Sequence, residues 1–208
     1  MTVTPPNSTV DSLKATPAAA TPGWYRLDLL WKASTKELKE GLSSNQLSPS
    51  WQLLLLSDGS TTRNLQLISG DRISADIIST EPVLLEGENA PDSVAALELP
   101  TLRRQVWLTS TKGDRLAYGV TWWNQQQFET TLTDPSQPIG ATLSERRIEL
   151  YREPLSFFLG ESAALAEGFG QSGPFWGRHY MLWHQQRPLA AVYEVFSSAV
   201  SQYLGSSR

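Results

Sequence analysis

The stretch RPLAAVYEVFS, residues 187–197, constrains the fold more than any other part of the chain. Strand alternation sends Ala190, Val192, Glu194 and Phe196 to one face, and Leu189, Ala191, Tyr193 and Val195 to the other. Both faces are apolar, so the strand must be covered on both sides. One carboxylate, Glu194, interrupts the first face. A buried charge is costly unless it is paired, so Glu194 requires either a buried cation or an enclosed polar chamber.

The rest of the chain can build such a structure. It has 208 residues, 40% of them hydrophobic and eight of them Trp, enough for one sizeable core. A net charge of −4 argues against nucleic acid or an anionic membrane surface as the main partner. The absence of cysteine excludes disulfides, thiolate metal sites and a Cys nucleophile, and it fits a reducing, cytoplasmic location. No apolar run approaches the ~20 residues a membrane-spanning helix needs. Residues 1–23 are rich in Thr, Pro and Ala and have no hydrophobic period, so a disordered N-terminal extension is expected there, with a single domain over 24–208.

The hydrophobic period changes along the chain. WYRLDLLWKAS places Leu27, Leu30 and Trp31 on one helical face. PSWQLLLLS and TTRNLQLIS, separated by DGS at 58–60, read as a helical hairpin with Leu65 and Ile68 inward. From residue 72 the period is two. Strands are expected at 72–80, 104–110, 115–123, 146–155, 177–185 and 187–197, with KGD as one hairpin turn and a second turn near Gln186. Helices followed by six strands with short links define an α+β fold with an antiparallel sheet.

Two charged residues stand out on apolar faces. Glu194 is one. Arg104 is the other, because it shares its strand face with Val106 and Leu108 while Arg103 falls opposite with Gln105 and Trp107. An inward Arg needs an anion, and its planar fork suits a carboxylate. Either the two form a structural pair, or a ligand lies between them. The PIG turn at 138–140 offers backbone N–H groups to an anion. Arg178 reads as a solvated rim residue or as part of a basic pocket. His179 and His184, the two histidines, fall on opposite strand faces, which argues against a shared metal. Nucleophile-elbow, phosphate-loop and dinucleotide motifs are missing.

Five stretches, LLLLSDGSTTRNLQ, RRQVWL with LAYGVTWW, QPIGATL, FGQSGPFWGRHYMLW and RPLAAVYEVF, together resemble the chorismate–pyruvate lyase family in a divergent, cyanobacterial-type form, from about residue 50 to 200. The resemblance implies a six-stranded antiparallel sheet with helical flaps over an enclosed pocket. It implies cofactor-independent cleavage of chorismate to 4-hydroxybenzoate and pyruvate, serving quinone, here plastoquinone, head-group synthesis. By the same resemblance Arg104 and the Ile139 backbone N–H hold the ring carboxylate, and Glu194 meets the 4-hydroxyl end. Arg104 and Glu194 are the expected catalytic residues, Arg104 as the anchor and Glu194 orienting the 4-hydroxyl and assisting proton movement at C4. Thr61 stands where better-known bacterial members carry a Met that touches the ligand. Arg178 or Arg147 is the candidate for the enolpyruvyl carboxylate. A monomer acting on small molecules, without metal, nucleic acid or membrane, is the expectation. Two alternatives are a noncatalytic, carboxylate-binding effector domain of the same fold, and a scaffold in which Arg104 and Glu194 are only a structural pair.

Overall fold

The computed structural model describes residues 23–40, 47–132, 134 and 137–206. The expected N-terminal extension lies outside them, apart from Gly23. The first elements are strand β1 (Asp28–Ala33), helix α1 (Thr35–Lys39), the pair α2 (Pro49–Leu56) and α3 (Thr61–Ser69), and strand β2 (Ile73–Val83). A 3-10 turn at Asp92–Ala96 leads to the hairpin β3 (Thr101–Ser110) and β4 (Arg115–Asn124). Helices α4 (Gln125–Thr131) and α5 (Ile139–Glu145) precede β5 (Tyr151–Glu161). Helix α6 (Ala163–Phe169), the hairpin β6 (Phe175–His184) and β7 (Arg187–Phe196), and the short α7 (Ser201–Leu204) complete the order.

All strands join one antiparallel sheet in the order β1-β5-β6-β7-β4-β3-β2. Among the described residues it has seven strands, not six. The extra one is β1, from the segment expected to be helical. Over six residues, an apolar spacing of three to four cannot be told from an edge strand by period alone. The tertiary context decides: β1 pairs with β5, Leu29 and Leu30 stay largely exposed, and Leu27 is buried just before it. Strand β5 also begins later than expected, because Arg146 caps α5 and Arg147 takes a left-handed conformation (φ 53°).

The helical hairpin follows from local sequence. Pro49 starts α2, where its missing N–H costs nothing. The Ser60 side chain accepts from Arg63 N to cap α3, and Gly70 ends that helix at φ 66°.

The sheet is covered on both faces, as the β7 pattern requires. One face packs Trp24, Trp107, Trp122, Tyr193 and Phe158 against Val94 and the α6 residues Leu165 and Phe169. On the other face there are two separate apolar clusters. Trp51, Leu54, Leu55 and Leu65 of the helical hairpin pack on Leu108, Phe157, Trp176 and Phe196. Phe128 and Leu132 pack on Leu102, Trp123, Leu182 and Leu189. Between these clusters the sheet is not filled.

Candidate functional site

The unfilled region is a cavity of about 380 Å³. Its floor is the sheet and its roof is the start of α3 and of α5. The strand register places the floor residues on neighbouring rungs. Arg104, Thr121, Val192 and Tyr180 stand in one row across β3, β4, β7 and β6. Val106, Gly119, Glu194 and Arg178 stand in the next. Gly119 leaves the middle of the floor open. The two roof helices touch through Gly140, where a Cβ would lie 2.2 Å from Ser60 Oγ, so only glycine permits this approach.

Arg104, Glu194, Thr61 and Ile139 all line this cavity. Arg104 and Glu194 do not pair with each other. Glu194 Oε2 accepts from Arg178 Nε at 2.7 Å. Its Oε1 accepts from Thr61 Oγ1 at 2.6 Å and from the Tyr180 hydroxyl at 3.0 Å. Their nearness in the fold follows from the register: Arg178 is the direct cross-strand neighbour of Glu194, whereas Arg104 is two strands away. Burial alone raises the Glu194 carboxyl, but the Arg178 charge and the Thr61 hydroxyl outweigh it and hold the group below the usual carboxylate range. Glu194 is therefore a fixed anion.

Arg178 is no rim residue; it is 2% exposed. Burial opposes its charge, and the Glu194 carboxylate more than restores it. Its Nη1 donates to the carbonyls of Leu54, Leu55 and Ser57, the open C-terminal end of α2, and its Nη2 donates to Thr61 Oγ1. One guanidinium thus ties the end of α2 and the start of α3 to the floor carboxylate. Arg147 lies outside the cavity lining.

Arg104 is buried at 2%, and its Nη2 donates to the Gln137 carbonyl at 3.1 Å. Burial lowers its guanidinium to about 10, which leaves it charged at neutral pH. Gln137 immediately precedes the PIG segment, so the guanidinium sits beside the start of α5. PIG is a helix start, not a free turn: Pro138 is the N-cap and Ile139 the first helical residue.

Tyr180, Gly119 and Arg152 also line the cavity and were not singled out from sequence. Alternation in GRHYMLWH puts Tyr180 on the Arg178 face, and an interior strand glycine signals close approach or space. Arg152 had no such signal, because a register shift between Pro154 and Ser156 decides where it points. Its guanidinium lies 4.7 Å from the centre of the Tyr180 ring and donates to the Asp58 carbonyl. Burial and the Glu194 charge push the Tyr180 hydroxyl up to about 12, so it stays a donor. His179, on the opposite face, bonds Ser93 Oγ at 2.9 Å. Among the described residues no group of three or more His, Asp and Glu is arranged to hold a metal.

Fold and site define an α+β domain with a cavity between a one-sheet floor and a helical roof. The chain matches the family described as chorismate pyruvate-lyase Rv2949c-like over residues 55–204, and it belongs to that family. Relatives named uncharacterized protein ycf21 are similar along most of their length. The one in Cyanophora paradoxa is 29% identical over 83% of this chain and 90% of its own. The one in Porphyra purpurea is 32% identical over 74% of this chain and 83% of its own. Among solved structures, the effector domain of PhnF from Mycobacterium smegmatis shares the fold with a TM-score of 0.52 at 14% identity, over 68% of this chain and 90% of that one. The gene product SA0254 from Staphylococcus aureus has a TM-score of 0.51 at 12% identity, over 69% and 91%. No helix among the described residues is long and apolar enough to cross a membrane.

Proposed function

We propose that the chain is a cofactor-independent lyase that converts chorismate to 4-hydroxybenzoate and pyruvate. The observation that carries this reading is a buried cation and a buried fixed carboxylate, Arg104 and Glu194, lining one cavity from strands two apart. That arrangement suits a flat ring with a carboxylate at one end and a hydroxyl at the other. Arg104, with the Ile139 N–H, binds the ring carboxylate. Glu194 accepts from the 4-hydroxyl through Oε2, which has acceptor capacity beyond its bond to Arg178.

In the reaction the C3–O bond breaks and the C4 hydrogen leaves as a proton. The electron pair of the C4–H bond completes the aromatic ring, and the departing enolpyruvate ketonises by taking up a proton. Aromatisation supplies the driving force, so holding the reactive conformer away from water is the main task. Glu194 is too acidic and too well paired to be a strong base. Its role is to orient the 4-hydroxyl. The product is suited to quinone head-group synthesis, including plastoquinone, in a cytoplasmic setting.

The likeness to an effector domain favours one competing reading, a sensor that binds carboxylated ligands without turnover. Incubating the purified chain with chorismate, without metal or nucleotide, separates the two. Equimolar 4-hydroxybenzoate and pyruvate above the spontaneous rate is the expected result. Tight 4-hydroxybenzoate binding with chorismate left intact would favour the sensor.

A further inference from the structure

Arg152 is the cation at the far side of the cavity. It lies on β5, four strands from Arg104 on β3, about 19 Å between backbones at ~4.8 Å per strand, a span that both side chains shorten by reaching inward. No carboxylate of the described residues forms an ion pair with it; the only ones formed by cavity-floor side chains join Arg178 to Glu194. Its Nε is buried and makes no hydrogen bond. Its one hydrogen bond among the described residues, to the Asp58 carbonyl, uses Nη1 and holds it against the loop that leads into α3. The ring below it is Tyr180, whose hydroxyl donates to Glu194. Arg152 is therefore at the Glu194 end of the cavity, and close enough that its charge acts on both Glu194 and Tyr180.

We infer that Arg152 binds a second carboxylate and makes the site selective for dianions over monoanions. The inference rests on the proposed reading for the orientation of the ring. With the ring carboxylate at Arg104 and the 4-hydroxyl at Glu194, the substituent on C3 is next to Glu194 and points to the Arg152 side. The enolpyruvyl carboxylate meets a planar guanidinium whose buried Nε has no hydrogen-bond partner, and the fork geometry suits a two-point contact. After cleavage that contact belongs to pyruvate alone. The bound aromatic product then keeps Arg104 and Glu194 but not Arg152, which makes Arg152 a residue for substrate recognition and not for product retention.

Calorimetry with two aromatic probes tests this independently of turnover: 4-hydroxybenzoate, with one carboxylate, and 3-(carboxymethoxy)-4-hydroxybenzoate, with two. The wild-type chain is expected to bind the dicarboxylate at least tenfold more tightly. Arg152→Met erases that advantage and leaves 4-hydroxybenzoate affinity within about threefold, and Arg152→Lys, which keeps the charge but not the fork, retains part of it. No dicarboxylate preference in the wild type, or equal loss for both probes in Arg152→Met, overturns the assignment. The preference of the wild type is read even if a variant does not fold. Chorismate left intact by a chain that still prefers the dicarboxylate refutes the lyase and keeps the role of Arg152; turnover without that preference does the reverse.

Discussion

Arg178 on β6 and Glu194 on β7 face each other across one rung of the sheet, Nε to Oε2 at 2.7 Å, and both are buried. The pair sits under the helical roof, and Arg178 also binds the end of α2. Removing one partner leaves an uncompensated buried charge. Arg178→Met is expected to destabilise the fold by about 3–5 kcal/mol in urea unfolding, whereas the double variant Arg178→Met with Glu194→Leu recovers a large part of that loss. Equal destabilisation by the single and double variants would show that packing, and not charge, dominates at this rung.

Thr61 bridges the same pair, donating to Glu194 and accepting from Arg178. Thr61→Val keeps the shape and removes both bonds. A stability loss of about 1–3 kcal/mol is expected from the buried partners left unsatisfied. The Glu194 carboxyl then titrates closer to the ordinary range, which a carbon-13 NMR titration of the side chain reads directly. An unmoved titration would mean that Thr61 has no part in fixing the charge.

Gly119 sets the cavity floor. A Cβ there would sit 3.6 Å from Val106 Cγ2, an ordinary contact, so Gly119→Ala should fold with stability within about 1 kcal/mol of the parent. Gly119→Leu extends into the ligand space. It is expected to weaken 4-hydroxybenzoate binding more than tenfold while the thermal midpoint changes little. Retained affinity in Gly119→Leu would place the ligand elsewhere.

His179 links the opposite face to pH. Burial lowers its imidazole to about 4, so the folded chain holds it neutral while the unfolded chain protonates it near 6.5. The unfolded state binds the extra proton between those values, so stability falls as pH drops from about 6.5 to about 4 and levels off below that. The loss reaches about 3 kcal/mol. Glu194 adds its own loss only at lower pH, because its folded carboxyl is more acidic than the unfolded one. Urea midpoints at pH 7 and pH 4.5 should differ in the parent and differ much less in His179→Asn.

The features legible in the sequence are those governed by strand alternation. Covering of β7 on both faces, and the inward placement of Arg104 and Glu194, come directly from period two. Features set by exact register are not legible. Alternation and the turn near Gln186 give the shared face of Arg178 and Glu194 and the pairing of β6 with β7, but the register shift between Leu182 and Trp183 decides that the two residues stand opposite each other, so the true ion pair is hidden behind the more conspicuous Arg104. The edge strand β1 was too short for its period to identify. Arg152 depends on a bulge in β5, and a bulge has no reliable signature in a single sequence. The PIG segment shows the same limit from the helical side: Pro at a helix start and Pro in a turn look alike until α5 packs on Ser60.

The most direct test is the crystal structure of the chain with 4-hydroxybenzoate. The expected complex has the carboxylate on the Arg104 guanidinium and the Ile139 N–H, the ring over Gly119, and the phenol oxygen within hydrogen-bond distance of Glu194. A ring bound in the reverse direction, or outside this cavity, would contradict the assignment of Arg104 and Glu194 to opposite ends of one substrate.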